Sequence, residues 1–202
     1  MIRSDVINAL MEKFQYKSYL EIGIQDPKLN FDLIKAQEKV GVDPDKKWKA
    51  DFIMTSDEYF AKLPDEKKFD LIFIDGLHLE KQVIKDIGNS ILHLFDNGTI
   101  VIHDCNPLLE DEQIETYNPL HYVSTYAWLG TTWKAYARFR MMRTDISMFV
   151  VNTDCGVGII RKGKQELYPF QEIIDWKFLE KHRKELLNLK EISEFQDWLE
   201  KI

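Results

Sequence analysis

The sequence predicts an α/β fold built on a doubly wound, mostly parallel sheet, with a C-terminal antiparallel hairpin and helices. Short apolar runs typical of buried strands alternate with helical patterns in the first half of the chain. Such alternation produces parallel strands joined by right-handed crossovers. Two later strand patterns, 147–151 and 156–161, are joined by a hairpin-type turn at 152–155. The segment 170–202 is charged and helical, with a predicted break near Asn188.

The N-terminal part combines one helix with two strands. Apolar residues recur every fourth position between Ile2 and Phe14, which places them on one face of a helix. Residues 19–24 predict a buried strand, and a short helical stretch follows over 30–36. Residues 39–44 predict a second short strand, which Pro44 ends.

The next segment predicts a third strand, a short helix and a central strand. Residues 51–55 predict a third strand, and Ser56 or Asp57 is expected to cap a helix that ends at Leu63. The run 69–76 is apolar almost throughout, as expected of a strand that is covered on both faces. We expect this fourth strand to lie in the middle of the sheet.

A long amphipathic helix is predicted over 78–95, followed by a turn at 96–98 and a fifth strand at 99–104. Residues 107–129 have no firm periodicity, and a loop of that length is more often a functional lid than a plain connection. A further helix is expected over 133–142.

The chain length predicts one domain over residues 1–202, because no linker or internal repeat divides it. Within it we expect a core of sheet and helices over 18–162. The lid is expected over 106–130, and the C-terminal helices over 170–202.

Composition excludes several classes of partner. The formal net charge is −7, so the surface lacks the positive charge that drives nucleic-acid binding. No apolar run approaches the ~20 residues needed to cross a bilayer, and residues 1–15 lack the apolar segment of a signal peptide. Cys105 and Cys155 are far apart and are expected to be reduced thiols. We therefore predict a cytoplasmic protein without nucleic-acid or membrane partners; homo-oligomerisation stays open.

Acidic residues stand at the ends of several predicted strands, where doubly wound sheets bind their ligands. Glu21 and Gly23 lie in the first strand and its turn, and Asp43 ends the second strand. Asp75 ends the fourth strand and Asp104 the fifth. Any one of these carboxylates could be a helix cap or a solvated turn residue. Because the four carboxylates stand at successive strand ends, they predict a common cleft.

These motifs follow one another in an order that resembles class I S-adenosylmethionine-dependent methyltransferases. The similarity covers roughly residues 18–162 and is greatest to the bacterial small-molecule branch, which has an Ile-Asp-Gly-x-His motif after strand four and a His-Asp motif after strand five. The segments that carry it are Glu21-Ile22-Gly23-Ile24, Val42-Asp43-Pro44, Ile74-Asp75-Gly76-Leu77-His78, His103-Asp104, the helix from Trp133 and the turn 154–158.

The resemblance implies a Rossmann-like enzyme that uses S-adenosylmethionine to methylate a small molecule, such as a sugar or a metabolite hydroxyl. It implies that Gly23 gives the backbone room beside the methionine part of the cofactor, where Glu21 organises the loop and the ammonium group. Asp43 would accept hydrogen bonds from the ribose hydroxyls. The turn at Ser56 and Asp57 would lie by the adenine, and Asp75 would line the cleft.

Proton removal from the acceptor requires a base or a metal ion. The candidates for the base are His78, His103 and Asp104. Some similar O-methyltransferases bind a divalent metal after strands four and five. The resemblance therefore also suggests an oxygen-rich magnesium site at Asp75, Asp104 and Asn106.

The first loop departs from the resembled pattern, because Gln25 and Asp26-Pro27 replace its later glycines. This departure favours an alternative, a non-catalytic binding or assembly protein that keeps the fold. It also argues against a nicotinamide oxidoreductase, since the dinucleotide fingerprint needs its second and third glycines to approach the pyrophosphate and pack the helix.

Overall fold

The computed structural model describes residues 1–116 and 127–202. The strands in these ranges are β1 (Ser18–Ile22), β2 (Glu38–Val42), β3 (Phe69–Ile74), β4 (Leu94–Ile102), β5 (Ile146–Val151), β6 (Val157–Lys162) and β7 (Leu189–Lys190). The α-helices are α1 (Arg3–Phe14), α2 (Ser56–Lys62), α3 (Glu80–Leu92), α4 (Thr132–Met142), α5 (Trp176–Leu186) and α6 (Ile192–Lys201). None of the described helices is long and apolar enough to cross a membrane.

The seven described strands form one sheet in the order β2-β1-β3-β4-β6-β5-β7. The first four are parallel, whereas β6 is antiparallel to both β4 and β5. The chain leaves β1 for β2 on one side and returns to β3 on the other, so the strand order reverses at β1. This confirms the predicted doubly wound sheet and its C-terminal antiparallel hairpin.

Helices cover both faces of the sheet, which explains why the buried parts of its strands are mostly apolar. Leu20 and Ile72 belong to a core cluster that includes residues of α2, α3, α4 and α5. Tyr19 and Leu71, one position away, pack on the opposite face with residues of α1 and α6. Successive side chains of a strand point to opposite faces, so β1 and β3 contribute to both cores.

The predicted third strand at 51–55 is wrong. Phe52 makes only an isolated parallel bridge with Val42, and both Phe52 and Ile53 are exposed. Met54 packs against the core, but the exposed Phe52 and Ile53 leave the segment outside the sheet. The predicted fourth and fifth strands are therefore β3 and β4.

The predicted helix at 30–36 is replaced by two 3₁₀ turns, Pro27–Leu29 and Phe31–Leu33. Asn30 separates them with a non-helical backbone conformation. Its side chain is buried and donates to Glu21 at 2.9 Å. The local pattern favours a helix, but this contact with Glu21, nine positions earlier in the chain, favours the two turns.

Two predicted boundaries also shift. Thr55 caps α2, because its hydroxyl accepts from the nitrogen of Glu58, so neither Ser56 nor Asp57 is the cap. The predicted turn at 96–98 lies within β4, where the pairing with β3 is irregular.

The predicted break near Asn188 is confirmed, with Asn188 in the left-handed region and β7 beginning one residue later. Of the predicted lid, residues 117–126 lie outside the described part of the chain.

Candidate active site

A cleft of about 1050 Å³ opens at the carboxyl ends of β1, β2, β3 and β4. Its lining includes every residue that the sequence suggested for cofactor binding and for catalysis: Glu21, Gly23, Asp43, Ser56, Asp57, Asp75, His78, His103 and Asp104. Asn106 is the one predicted site residue that does not line the cleft.

Gly23 lines the cleft at the point where the ends of β1, β2 and β3 meet. Its backbone adopts a φ of +85°, and a Cβ at this position would lie 2.3 Å from the carbonyl oxygen of Asp75. Its nitrogen also donates to the carbonyl of Val42 at 2.8 Å. Only glycine combines this conformation with so close a backbone approach.

Asp43 holds the loops after β1 and β2 together. One carboxylate oxygen accepts from the nitrogen of Gln25 at 3.0 Å, and the other accepts from the nitrogen of Asp45 at 2.8 Å. A carboxylate oxygen can accept more than one hydrogen bond. Asp43 therefore fixes the loops and keeps acceptor capacity for a ligand hydroxyl.

Glu21 is buried behind the first loop, where Asn30 and the hydroxyl of Tyr19 donate to its carboxylate. Burial raises the pKa of Glu21 from 4.5 to about 8, although both hydrogen bonds oppose this shift. The side chain is therefore mostly neutral at pH 7. It supports Asn30, which also lines the cleft.

Ser56 and Asp57 begin α2 and are tied to α3. The amide of Gln82 lies 3.2 Å from the Ser56 hydroxyl and 2.9 Å from the Asp57 carboxylate. Lys85 contacts the other Asp57 oxygen at 2.7 Å, and this hydrogen bond lowers the pKa of Asp57. Gln82 lines the cleft as well.

Asp75 is at the centre of a cluster of opposite charges. One of its oxygens lies 3.2 Å from Nε2 of His78 and 3.4 Å from Nδ1 of His103. Its other oxygen lies 3.8 Å from Nε of Arg3. Burial would raise the pKa of Asp75, but His103 and His78 together hold it well below its usual range.

Asp104 connects the two histidines. Its backbone has a φ of 60°, and its two oxygens lie 3.1 Å from Nδ1 of His78 and 3.0 Å from Nδ1 of His103. On the far side of His103, Nε2 lies 3.5 Å from a carboxylate oxygen of Asp154. Each imidazole thus stands between carboxylates.

These carboxylates decide the charge of the imidazoles. Burial lowers the pKa of His78, but Asp75 and Asp104 outweigh it and raise the pKa to about 9. The pKa of His103 is likewise raised well above its usual range by Asp75 and Asp104, against the effect of burial. Both histidines are therefore predominantly protonated near neutral pH.

Residues 128–131 hold His78 in place. Its ring stacks on Trp128 with centroids 5.2 Å apart, and its Nδ1 lies 3.1 Å from the carbonyl oxygen of Trp128. The nitrogen of Thr131 donates to the His78 carbonyl at 2.8 Å. A Cβ on Gly130 would lie 2.0 Å from that same carbonyl oxygen, so the close approach requires glycine.

A divalent cation fits a different set of residues from the predicted one. Potential ligand atoms of Asp75, His78 and Asp104 all lie within 4.8 Å of one another. Asn106 does not join them, since its amide contacts Arg183 at 2.6 Å and Asn152 at 3.1 Å. The imidazole makes this donor set better suited to manganese or zinc than to magnesium, which prefers oxygen ligands.

The reason for the displacement of Asn106 is backbone pairing. The nitrogens of Cys105 and Asn106 donate to the carbonyls of Gly156 and Cys155. This pairing fixes the chain after Asp104 against the β5–β6 turn, where the Asn106 amide contacts Asn152 and Arg183 and does not line the cleft.

Comparisons with known proteins agree with this architecture. Residues 40–105 match the family model described as a methyltransferase domain. Among curated proteins, no sequence is similar enough to this chain to count as a match. The matched segment runs from β2 to the residues just after β4, and so contains most of the predicted site.

Solved structures share the fold at low sequence identity. A presumed O-methyltransferase from Klebsiella pneumoniae is 14% identical with a TM-score of 0.55, and 79% of each chain is covered. An O-methyltransferase from Bacillus cereus, solved with S-adenosylhomocysteine, is 13% identical with a TM-score of 0.52, covering 79% of this chain and 80% of that one. The O-methyltransferase TomG from Streptomyces achromogenes, solved with S-adenosylmethionine, is 10% identical with a TM-score of 0.53 and 78% coverage of each chain.

The sheet and its flanking helices form the Rossmann-like fold that these methyltransferase structures share. The domain match adds similarity to a methyltransferase domain over residues 40–105. Within this methyltransferase fold, sequence reasoning missed Arg3, Asn30 and Asp154 as residues that line the cleft. Asp154 belongs to the turn that already resembled the family. Arg3 and Asn30 carry no sequence signal, because a single arginine or asparagine at a helix start or turn is common.

Proposed function

We propose that this methyltransferase transfers the methyl group of S-adenosylmethionine to a hydroxyl oxygen of a small molecule. The proposal depends on one observation: Asp43, Asp75 and Asp104 follow three strands that end at the same cleft, with His78 beside them. The cleft is large enough for a nucleoside cofactor together with a small acceptor.

The cofactor, when bound, supplies an electrophilic methyl group on its sulfonium. Asp43 would accept from the ribose hydroxyls through the acceptor capacity that its two backbone contacts leave. The turn at Gly23 would border the methionine end, and Ser56 and Asp57 would border the adenine. Nε of Arg3 and Oδ1 of Asn30 support this fit, because they are buried polar atoms of lining residues and have no hydrogen-bond partner.

His78 would remove the acceptor's proton in its neutral form, which is the minor form near neutral pH because Asp75 and Asp104 raise its pKa to about 9. Each of these carboxylates contacts one ring nitrogen, so one of them must release its nitrogen to the acceptor, while the other orients the ring and stabilises the imidazolium that forms. His103 is held between Asp104 and Asp154 and would act as a fixed positive charge that positions the carboxylates.

A divalent cation is a second way of promoting the same step. Asp75, His78 and Asp104 would hold it, and it would lower the pKa of the acceptor hydroxyl as a Lewis acid. Two proteins that share the fold are named O-methyltransferases, and this also supports an oxygen acceptor. The identity of the acceptor requires a screen of sugar and other metabolite hydroxyls with isotopically labelled methyl donor.

Calorimetry tests the cofactor directly. Asp43→Asn should weaken S-adenosylhomocysteine binding by about 10- to 100-fold, the value of a lost charge-assisted hydrogen bond. The matched control is Asp45→Asn, which changes the same charge two residues away at an exposed position.

A ligand that lacks the ribose 2′-hydroxyl distinguishes loss of the Asp43–ribose contact from disturbance of the loops that Asp43 holds together. It should bind Asp43→Asn and the native protein with more similar affinities than S-adenosylhomocysteine does. Equal S-adenosylhomocysteine affinity in Asp43→Asn and native protein would contradict the proposed ribose contact. Tight binding without transfer of label to any acceptor would instead support the non-catalytic alternative.

A further inference from the structure

We propose that Arg3 and Asn30 together bind the α-amino-acid end of the cofactor, with Arg3 donating to its carboxylate and Asn30 accepting from its ammonium group. This inference rests on the proposed function, and it adds two residues from outside the motifs that the sequence analysis identified.

The observation behind it is a pair of unsatisfied polar atoms. Seven buried side-chain nitrogen or oxygen atoms in the described ranges have no hydrogen-bond partner. Two of them, Nε of Arg3 and Oδ1 of Asn30, belong to residues that line the cleft. The other five belong to residues outside that lining: Asp86, Ser90, Thr132, Tyr136 and Arg161.

Leaving a buried polar atom without a partner costs about 1–3 kcal/mol, and ligand sites are where such atoms are expected to gain one. Nε of Arg3 is a donor, whereas Oδ1 of Asn30 is an acceptor. A zwitterionic amino acid offers the complementary groups.

The orientation of the Asn30 amide follows from its neighbours. Its nitrogen lies 3.0 Å from the Tyr19 hydroxyl and 2.9 Å from a carboxylate oxygen of Glu21. With the amide nitrogen on this side, the amide oxygen is left as an acceptor without a partner, in a side chain that is only 3% exposed.

Arg3 is held by its other atoms. Its backbone nitrogen donates to Asp154 at 2.7 Å, and its Nη1 contacts the same carboxylate oxygen at 3.2 Å. Nε lies 3.8 Å from Asp75, which is beyond hydrogen-bond distance. The guanidinium is thus positioned while its Nε–H stays available to a carboxylate.

Both residues border the same end of the cleft. Asn30 contacts Glu21 directly, and the positive charge of Arg3 is near enough to lower the pKa of Glu21. Glu21 is in β1, two residues before the turn at Gly23. This is the end at which the proposed function places the methionine part of the cofactor.

The experiment uses ligands that lack parts of the amino acid. Calorimetry would compare S-adenosylhomocysteine, its decarboxylated analogue, and 5′-methylthioadenosine, which lacks the whole amino-acid end. Arg3→Gln and Asn30→Leu should each bind S-adenosylhomocysteine about 10- to 100-fold more weakly than the native protein. Both should bind 5′-methylthioadenosine within about twofold of the native affinity.

The decarboxylated analogue separates the two roles. It keeps the amine, so Asn30→Leu should weaken its binding, whereas Arg3→Gln should change its affinity by no more than about twofold. Lys13→Gln is the control, because it removes one positive charge from an exposed position of the same helix. It should leave all three affinities unchanged.

Each result has one interpretation. If the native protein binds none of the three ligands, the proposed function itself is overturned. If it binds them but the variants lose affinity for S-adenosylhomocysteine and 5′-methylthioadenosine equally, or for neither, only the proposed roles of Arg3 and Asn30 are overturned. Thermal unfolding checks each variant; Arg3→Lys and Asn30→Ala replace a variant that fails to fold, with the same selective losses expected.

Discussion

Asp154 accepts a hydrogen bond from the backbone nitrogen of Arg3 at 2.7 Å. This contact ties the β5–β6 turn to the first residue of α1, 151 positions away in the chain. Because the same carboxylate also lies 3.5 Å from His103, the start of α1 and the centre of the site are connected through a single side chain.

Asp154→Ala tests this connection. The change removes the acceptor for the backbone and side chain of Arg3, so we expect the free energy of unfolding to fall by about 1–3 kcal/mol. Urea denaturation measures it, with Asp65→Ala as a control at an exposed position. Equal stability of the two variants would show that the contact contributes little.

Two glycine substitutions should have opposite effects. Gly23→Ala forces a Cβ to within 2.3 Å of a backbone oxygen at a φ of +85°, and it should destabilise the protein by more than about 1 kcal/mol. Gly88 lies within α3, and a Cβ there would meet nothing within 4 Å. Gly88→Ala should therefore stabilise the protein by about 0.5–1 kcal/mol. Thermal or urea unfolding compares the two; a stable Gly23→Ala would contradict the description of the turn.

Stability should depend on pH through Glu21. Burial raises its pKa from 4.5 to about 8, so between these values the folded state binds more protons than the unfolded state. The contribution of Glu21 to the free energy of unfolding therefore decreases as the pH rises from about 4.5 to about 8. Below this window the carboxyl is protonated in both states, and its contribution is constant.

Glu21→Gln removes this titration. The native protein should lose stability relative to the variant across that window, by an amount on the order of a few kcal/mol. Urea denaturation at a series of pH values measures the difference between the two proteins, in which other titrating groups largely cancel. A constant difference from pH 5 to pH 8 would argue against a buried, neutral Glu21.

His78→Gln should separate catalysis from cofactor binding. Loss of a general base lowers kcat by about 10²- to 10⁴-fold, whereas S-adenosylhomocysteine affinity should change by no more than about twofold because the predicted cofactor contacts are made by other residues. The control is His182→Gln, since His182 lies outside the cleft lining. The measurements are steady-state kinetics with an acceptor from the screen, and calorimetry.

The same assay distinguishes the base from a metal ion. If His78 acts as the base alone, the native enzyme keeps its activity in the presence of a chelator. Loss of activity that manganese restores would instead assign Asp75, His78 and Asp104 to a metal site.

The sheet was predictable because a parallel strand that is covered on both faces must be largely apolar. Residues 69–74 are apolar at every position except Asp70, and they form β3 as expected. Hydrophobicity was misleading at 51–55, where Phe52 and Ile53 remain exposed. Hydrophobicity indicates which segments can be buried, but the neighbouring elements decide which segments are.

The sequence determined, by itself, the class of fold and the grouping of Glu21, Asp43, Asp75 and Asp104, because carboxyl ends of parallel strands meet at one edge of a sheet. Only the tertiary structure decided which atoms meet there. It brought Arg3 into the cleft, moved Asn106 out of it, and placed His78 between two carboxylates. Such contacts depend on hydrogen bonds between residues far apart in the chain, such as that from Arg3 to Asp154. They cannot be predicted from the local periodicity of the sequence.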